Sequence, residues 1–176
     1  VEPEELQKYI NQYLPEDIAV TGVVAAGERF HSRLNATGKT YEYHLIPYGT
    51  YDVFARKYAW QMTEPLDIEA MREAAGHVLG SHDFRGFCTK AAKKKSTIRT
   101  IRLLEIYETK NEIVIEITGN GFLYNMVRIL VGTLVEVGMG LRKADDIPTI
   151  LEKKERRYAG ETAPACGLFL KQIYYE

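Results

Sequence analysis

The sequence predicts an α+β fold, an antiparallel or mixed sheet flanked by helices, and three observations predict it. Residues 112–118 alternate, with Ile113, Ile115 and Ile117 on one face, and Thr109-Lys-Asn111 joins them to a second extended run at 98–107, which reads as an antiparallel hairpin. Two other stretches carry apolar residues with helical character, one from Ile68 to Leu79 and one from Phe122 to Val135. Strand and helix patterns are interspersed without the regular strand-helix-strand repeat of a parallel sheet.

Taken in order, Leu6, Tyr9, Ile10 and Tyr13 repeat at helical spacing before Pro15, and Ile18 to Ala26 reads as a strand leading into Arg29-Phe-His-Ser-Arg33. Thr40 to Ile46 alternates, setting Tyr41, Tyr43 and Leu45 on an inward face and Glu42 and His44 on the other; Val53 to Trp60 reads as a further strand. Asp67 is a suitable N-cap for a helix whose Ile68, Met71, Ala75, Val78 and Leu79 share a face and which Gly80 ends. A loop, Ser81-His-Asp-Phe-Arg-Gly-Phe87, precedes the hairpin. After it come the apolar helix closed by Gly138 and Gly140, a polar helix around 144–154, and a last strand from Leu168 to Tyr175. No repeat, low-complexity tract or linker divides the chain, which predicts a single domain over residues 1–176.

Composition excludes some function classes. A chain of 176 residues with 45% hydrophobic and 27% charged residues buries a core and is not disordered. The net charge of -1 gives no global electrostatic signature, so nucleic-acid binding must rest on a local basic patch. Cys88 and Cys166 are far apart with no CxxC spacing, which predicts free thiols in a reducing cytosol. No basic segment followed by an apolar one opens the chain, so no secretory signal is read, and the start at Val1, with a helical pattern almost at once, is what a fragment looks like.

Arg128 is the most informative residue. It is the only charged residue between Glu116 and Glu136, inside a helical run that is apolar on all sides. A guanidinium in such a place needs an anion or dense hydrogen bonding, and neither Glu136, more than two turns on, nor the neutral Asn125 supplies a charge. A structural bridge to another carboxylate, a head snorkelling to the helix edge, and a functional pairing all remain open on this reading. The apolar stretches on either side of Arg128 are too short for a bilayer span, so no membrane is expected.

Other constellations are weaker. Ser81, His82 and Asp83 are consecutive, and neighbouring side chains diverge too much for a nucleophilic triad. Cys166 sits among apolar neighbours that favour plain packing over nucleophilic use. Gly119-Asn-Gly121 lacks the third glycine and the lysine of phosphate-binding turns and reads as a tight strand-to-helix turn. The four histidines show no ligand spacing, so no metal is expected. The positive signal is a cationic strip, Lys90 with Lys93, Lys94, Lys95, Arg99 and Arg102, of the kind that tracks a phosphate backbone, though a solvated loop explains it alone. Joined with the inward Tyr41 and with Arg29, His31 and Arg33, it favours RNA, with cations on phosphates and a ring against an extruded base.

The segments Arg29-Phe-His-Ser-Arg33, Lys39-Thr-Tyr-Glu-Tyr43, His82-Asp-Phe84 with Phe87, Asn120-Gly-Phe-Leu-Tyr-Asn-Met-Val-Arg128 and Cys166-Gly-Leu-Phe-Leu170 occur in the order seen in the TruA family of tRNA pseudouridine synthases, which the chain resembles over nearly its whole length. The resemblance implies isomerisation of uridine to pseudouridine in the anticodon stem-loop of tRNA, without cofactor or metal, by a cytoplasmic homodimer. It implies that an aspartate attacks the nucleotide so that the base detaches, turns and rejoins through carbon. By matching position, Tyr41 contacts the target base, Arg128 pairs with that aspartate, and Asn125 and Leu168 are substrate-binding. The family's Arg-Thr-Asp-Ala-Gly segment, which carries the aspartate, is not in this sequence, and Asp17 stands in a different context. The chain is therefore expected to be the C-terminal portion of such an enzyme, inactive alone. The alternatives are a noncatalytic RNA-binding or dimerisation module and a packing unit that never touches RNA.

Overall fold

The computed structural model describes residues 1–90 and 96–175. These form two compact units, residues 1–35 and the remainder from Ala36 onward. In the first, helix α1 (Pro3–Asn11) starts with proline in its first turn, where a missing N–H costs nothing, and carries Glu4 and Glu5 where the helix dipole favours anions. The strand expected at 18–26 does not form. Val20 instead receives local side-chain bonds: its N–H donates to Asn11 Oδ1 at 2.8 Å, and its carbonyl accepts from Asn11 at 2.9 Å and Gln7 at 3.1 Å. β-branched residues favour a strand only where another strand receives their backbone.

In the second unit, six strands among the described residues make one mixed sheet with the order β2-β1-β5-β4-β3 and β6 also on β1. The strands are β1 (Ala36–Ile46), β2 (Trp60–Gln61), β3 (Gly80–Asp83), β4 (Ile98–Glu108), β5 (Ile113–Gly119) and β6 (Leu168–Tyr175). The hairpin of β4 and β5 stands as the alternation predicts, and β1 lies antiparallel to both β5 and β6. One edge of β1 is shared: β6 pairs with residues 36–43, and the short parallel β2 takes Leu45 and Ile46. The expected strand at 53–60 shrinks to β2, because residues 55–57 coil into one 3-10 turn whose preceding Asp52 carboxylate accepts from the N–H groups of Phe54 and Ala55, both at 2.9 Å.

Helix α2 (Ile68–Gly76) begins as read, with the Asp67 carboxylate accepting from Ala70 N–H at 3.0 Å. It ends three residues earlier than expected, at Gly76 rather than Leu79. Gly80, at φ +90°, opens β3 instead, and Leu79 is exposed. The segment 81–87, expected as a loop, is ordered: Ser81–Asp83 pair with β4, and Asp83 caps a 3-10 turn over Phe84–Phe87 by accepting from Arg85 N–H at 3.2 Å.

Helix α3 (Met126–Gly138) is buried nearly throughout, and α4 (Asp146–Lys153) follows the positive-φ turn at Gly140. The buried side of α2 and nearly all of α3 join Tyr43, Leu45, Ile101, Ile115 and Ile117 of the sheet in one core. Each such large apolar side chain contributes about 1.5–3 kcal/mol on burial. Gly138 lets the helices approach closely, since a Cβ there would stand 2.7 Å from Met71 Sδ and make that side chain shift. Among the described residues no helix is long and apolar enough to cross a membrane.

The opposite sheet face is charged. Glu42 and Glu116 lie directly across from one another on β1 and β5, and Lys171 on β6 bridges them with Nζ 2.8 Å and 2.7 Å from their carboxylates. The Lys171 hydrogen bond holds the Glu42 carboxyl below its usual range despite partial burial, helped by a Tyr107 hydroxyl donating at 3.2 Å.

Candidate active site

The end of β5 is fixed before the site begins. Asn120 accepts from Thr100 N–H at 3.0 Å through its side chain and donates its own N–H to Thr100 carbonyl at 3.1 Å. At Gly119 a Cβ would lie 2.9 Å from that same carbonyl, so the close approach to β4 requires glycine. The turn delivers Phe122 edge-on to Tyr41, with ring centroids 5.3 Å apart at 88°.

Asn125 then takes the left-handed conformation, φ 60°, and α3 starts at Met126 rather than at Phe122. This corrects the reading of Arg128. It lies in the first turn of the helix, half-buried rather than enclosed in its middle. Its Nε–H donates to the Ala163 carbonyl at 2.6 Å, the Ala163 N–H donates back to the Arg128 carbonyl at 3.1 Å, and Nη1 reaches Asn125 Oδ1 at 3.5 Å. Among the described residues no carboxylate stands within ion-pair distance of the guanidinium.

Ala163 belongs to a strap, residues 159–164, laid along α3. Gly160 N–H donates to the buried Thr133 hydroxyl at 2.9 Å, and Glu161 N–H to Glu136 Oε1 at 2.8 Å. Gly132 makes room for it, since a Cβ there would meet the Glu161 carbonyl at 2.0 Å. At the far end the Tyr43 hydroxyl donates to the Pro164 carbonyl at 2.6 Å. Burial pushes the Tyr43 phenol well above its usual range, with Arg128 opposing.

These elements enclose a cavity of about 110 Å³ lined by Tyr41, Phe122, Leu123, Asn125, Met126, Val127, Arg128 and Leu168. The four residues singled out for catalysis and substrate binding, Tyr41, Asn125, Arg128 and Leu168, thus share one pocket. Its character is an apolar slot with an aromatic wall and a fixed guanidinium, suited to a flat polar ring beside an anion. Burial raises the Tyr41 phenol, which keeps it a neutral donor. A larger cavity, about 560 Å³, opens between the N-terminus of α2 and the α3–α4 turn, but it holds none of the predicted residues and no aromatic side chain.

The predicted cations are placed less uniformly. The ammonium of Lys90 stands 5.5 Å from the centre of the exposed Tyr124 ring, and the adjacent Thr89 hydroxyl lies 3.2 Å from Asn125 Nδ2, which sets this end of the cationic strip beside the pocket. Arg99 turns back to the carbonyls of Ser96 and Ile98, at 3.0 Å and 2.6 Å. Lys93, Lys94 and Lys95 lie outside the described residues. Arg29, His31 and Arg33 are exposed within the first unit, where His31 Nδ1 accepts from Arg33 N–H at 3.1 Å. Sequence reading missed Phe122 as a pocket wall and the Ala163 carbonyl as the partner of Arg128. The aromatic just past a strand end was a usable signal for the first; nothing in the sequence marks the second.

Comparison with known proteins gives the family. A family described as tRNA pseudouridine synthase matches residues 74–176, which include Asn125, Arg128 and Leu168. tRNA pseudouridine synthase A 1 of Bacillus cereus is 45% identical over 166 residues, covering 94% of this chain and 67% of the relative. tRNA pseudouridine synthase A 2 of the same species is 43% identical over 171 residues, covering 97% and 70%, and the protein of that name in Bacillus anthracis is likewise 43% identical. On both grounds, a family match over more than half of the sequence and close relatives along nearly all of it, this chain belongs to the tRNA pseudouridine synthases.

Proposed function

We propose that this chain carries the base pocket of an enzyme that converts uridine to pseudouridine in the anticodon stem-loop of tRNA, and that its nucleophilic aspartate comes from polypeptide outside residues 1–176. The observation that carries the reading is the meeting of Tyr41, Asn125, Arg128 and Leu168 around one small cavity. A cation at a helix N-terminus is disfavoured by the dipole, and the same N-terminus attracts anions, so both Arg128 and α3 favour a carboxylate delivered to this point. In the reaction the aspartate attacks the nucleotide as the sugar–nitrogen bond breaks, the base turns within the slot and bonds to the sugar through carbon as the aspartate is released, and the proton lost from that carbon is balanced by one gained on the freed nitrogen. Tyr41 faces the ring, Leu168 and Phe122 exclude water, and the planar fork of Arg128 holds the aspartate. The turnover needs no cofactor or metal ion.

Lys90, Lys93, Lys94, Lys95 and Arg99 hold phosphates of the RNA, and so do Arg29, His31 and Arg33. The enzyme acts in the cytoplasm as a homodimer, and this chain alone is inactive. The test is pseudouridine formation in an unmodified tRNA transcript, with the chain supplied with the upstream polypeptide of its own gene. Product that disappears with Arg128→Ala supports the reading. Absence of product, with the two polypeptides shown to associate, moves the chain to a noncatalytic RNA-binding or dimerisation module.

A further inference from the structure

The loop from Tyr48 to Tyr58 leaves several rings without a place in the core. Tyr51 is 86% exposed, Phe54 89% and Tyr58 60%. The backbone beneath them is nevertheless fixed: Thr50 N–H donates to the Pro47 carbonyl at 3.1 Å, Gly49 takes φ +80°, and Asp52 caps the 3-10 turn. Ordered aromatics held outward on a surface mark a binding face. Arg56 and Lys57 stand among them, exposed and in no ion pair with the described residues, while the loop's one acid, Asp52, is occupied by its cap.

This face begins one residue from the pocket. Leu168 lines the cavity, and Phe169, next along β6, turns to the other side of the strand, where its ring packs edge-on against His44 at 5.1 Å and lies 6.4 Å from the Tyr58 ring. Among the described residues β6 pairs only with β1, so its outer edge is open. A polymer with one unit in the pocket can cross that edge and meet Phe169 and Tyr58 with the next.

We propose that Phe169 and Tyr58, continued by Tyr51 and Phe54, stack on the unpaired nucleotides flanking the target uridine while Arg56 and Lys57 hold the phosphates between them. The inference rests on the RNA-modifying reading above and deepens it, because extruding one base from a loop unstacks its neighbours and leaves them in need of new faces. The unpaired charges favour RNA over a second copy of this chain as occupant. A two-fold interface would set Arg56 and Lys57 of one copy in the same patch as those of the other, whereas a nucleic-acid backbone supplies the missing anions.

The test is the affinity of this chain for a fluorescent anticodon stem-loop RNA, with Phe169→Ala and Tyr58→Ala singly and together, and Tyr51→Ala/Phe54→Ala as a second variant whose side chains are too exposed to affect folding. Each lost ring is expected to weaken binding roughly 5- to 100-fold, with the melting temperature kept. An abasic nucleotide beside the target should cost as much, and should cost nothing further in Phe169→Ala, since one stacking contact is removed only once. Wild-type and variant chains binding the RNA equally would overturn the inference while leaving the enzyme reading intact. A variant that binds RNA normally but sediments as a smaller species would assign the face to a second copy. Failure of the wild-type chain itself to bind would overturn both.

Discussion

Arg128 is held by its Nε–H alone at good length, with Nη1 at the limit of hydrogen-bond distance from Asn125. The fork is therefore aimed but not saturated, which suits the role proposed for it. Arg128→Lys keeps the charge and loses the planar fork, so turnover in the reconstituted enzyme should fall about a hundred-fold or more while RNA affinity stays nearly unchanged; loss of both would make the arginine structural. Asn125 separates two demands. Its backbone is left-handed, and its side chain joins Thr89 to Arg128. Asn125→Gly should keep the fold and lose activity, whereas Asn125→Ala should add a destabilisation of about 1–2 kcal/mol from the left-handed backbone. Urea unfolding measured beside single-turnover rates distinguishes the two. The character of these residues was legible in the sequence, but their setting was not. An apolar run with one arginine announces that the guanidinium needs a partner, yet a backbone carbonyl 35 residues away carries no side-chain signature.

At the scale of elements, the strap and α3 act as one part. Gly132 admits the Glu161 carbonyl, the Thr133 hydroxyl accepts from Gly160, and Ala163 and Arg128 exchange two hydrogen bonds. Gly132→Ala must push the strap outward, because the new methyl would overlap the Glu161 carbonyl backbone. We expect a loss of about 2–4 kcal/mol in chemical denaturation, more than any propensity gain of alanine in a helix, together with reduced turnover as Ala163 retreats from Arg128. If stability rose instead, the strap would not be seated as described. Periodicity found β1, β5 and β6 because each carries a face of core residues or a clean apolar run. It misplaced the start of α3, because Phe122 and Leu123 continue the apolar pattern while Asn125 alone reverses the backbone. It mistook residues 53–60 for a strand for a related reason: the aromatics that suggested β structure point outward from a capped turn.

Across the whole molecule the sheet has two unlike faces, one packed on helices and one governed by charge. Glu42 opposite Glu116 is a repulsive pair that Lys171 reconciles. Because the Glu42 carboxyl is depressed below its ordinary value of 4.5, its contribution to stability is present above that value and is lost as pH falls through the lower folded one. Lys171→Ala should therefore lower the urea midpoint more at pH 7 than in acid below the pH at which the folded Glu42 carboxyl takes up its proton; an equal loss in both ranges would place the role of Lys171 in packing. The α+β class and the hairpin were readable because they rest on local alternation. The seating of β6 on β1 was not, since it joins residues more than 120 positions apart. That long-range pairing also orders events during synthesis. Tyr41 and Arg128 leave the ribosome well before Leu168, so the nascent protein carries a ring and a guanidinium with no wall between them and the solvent, and the pocket is complete only once β6 has emerged and closed onto β1.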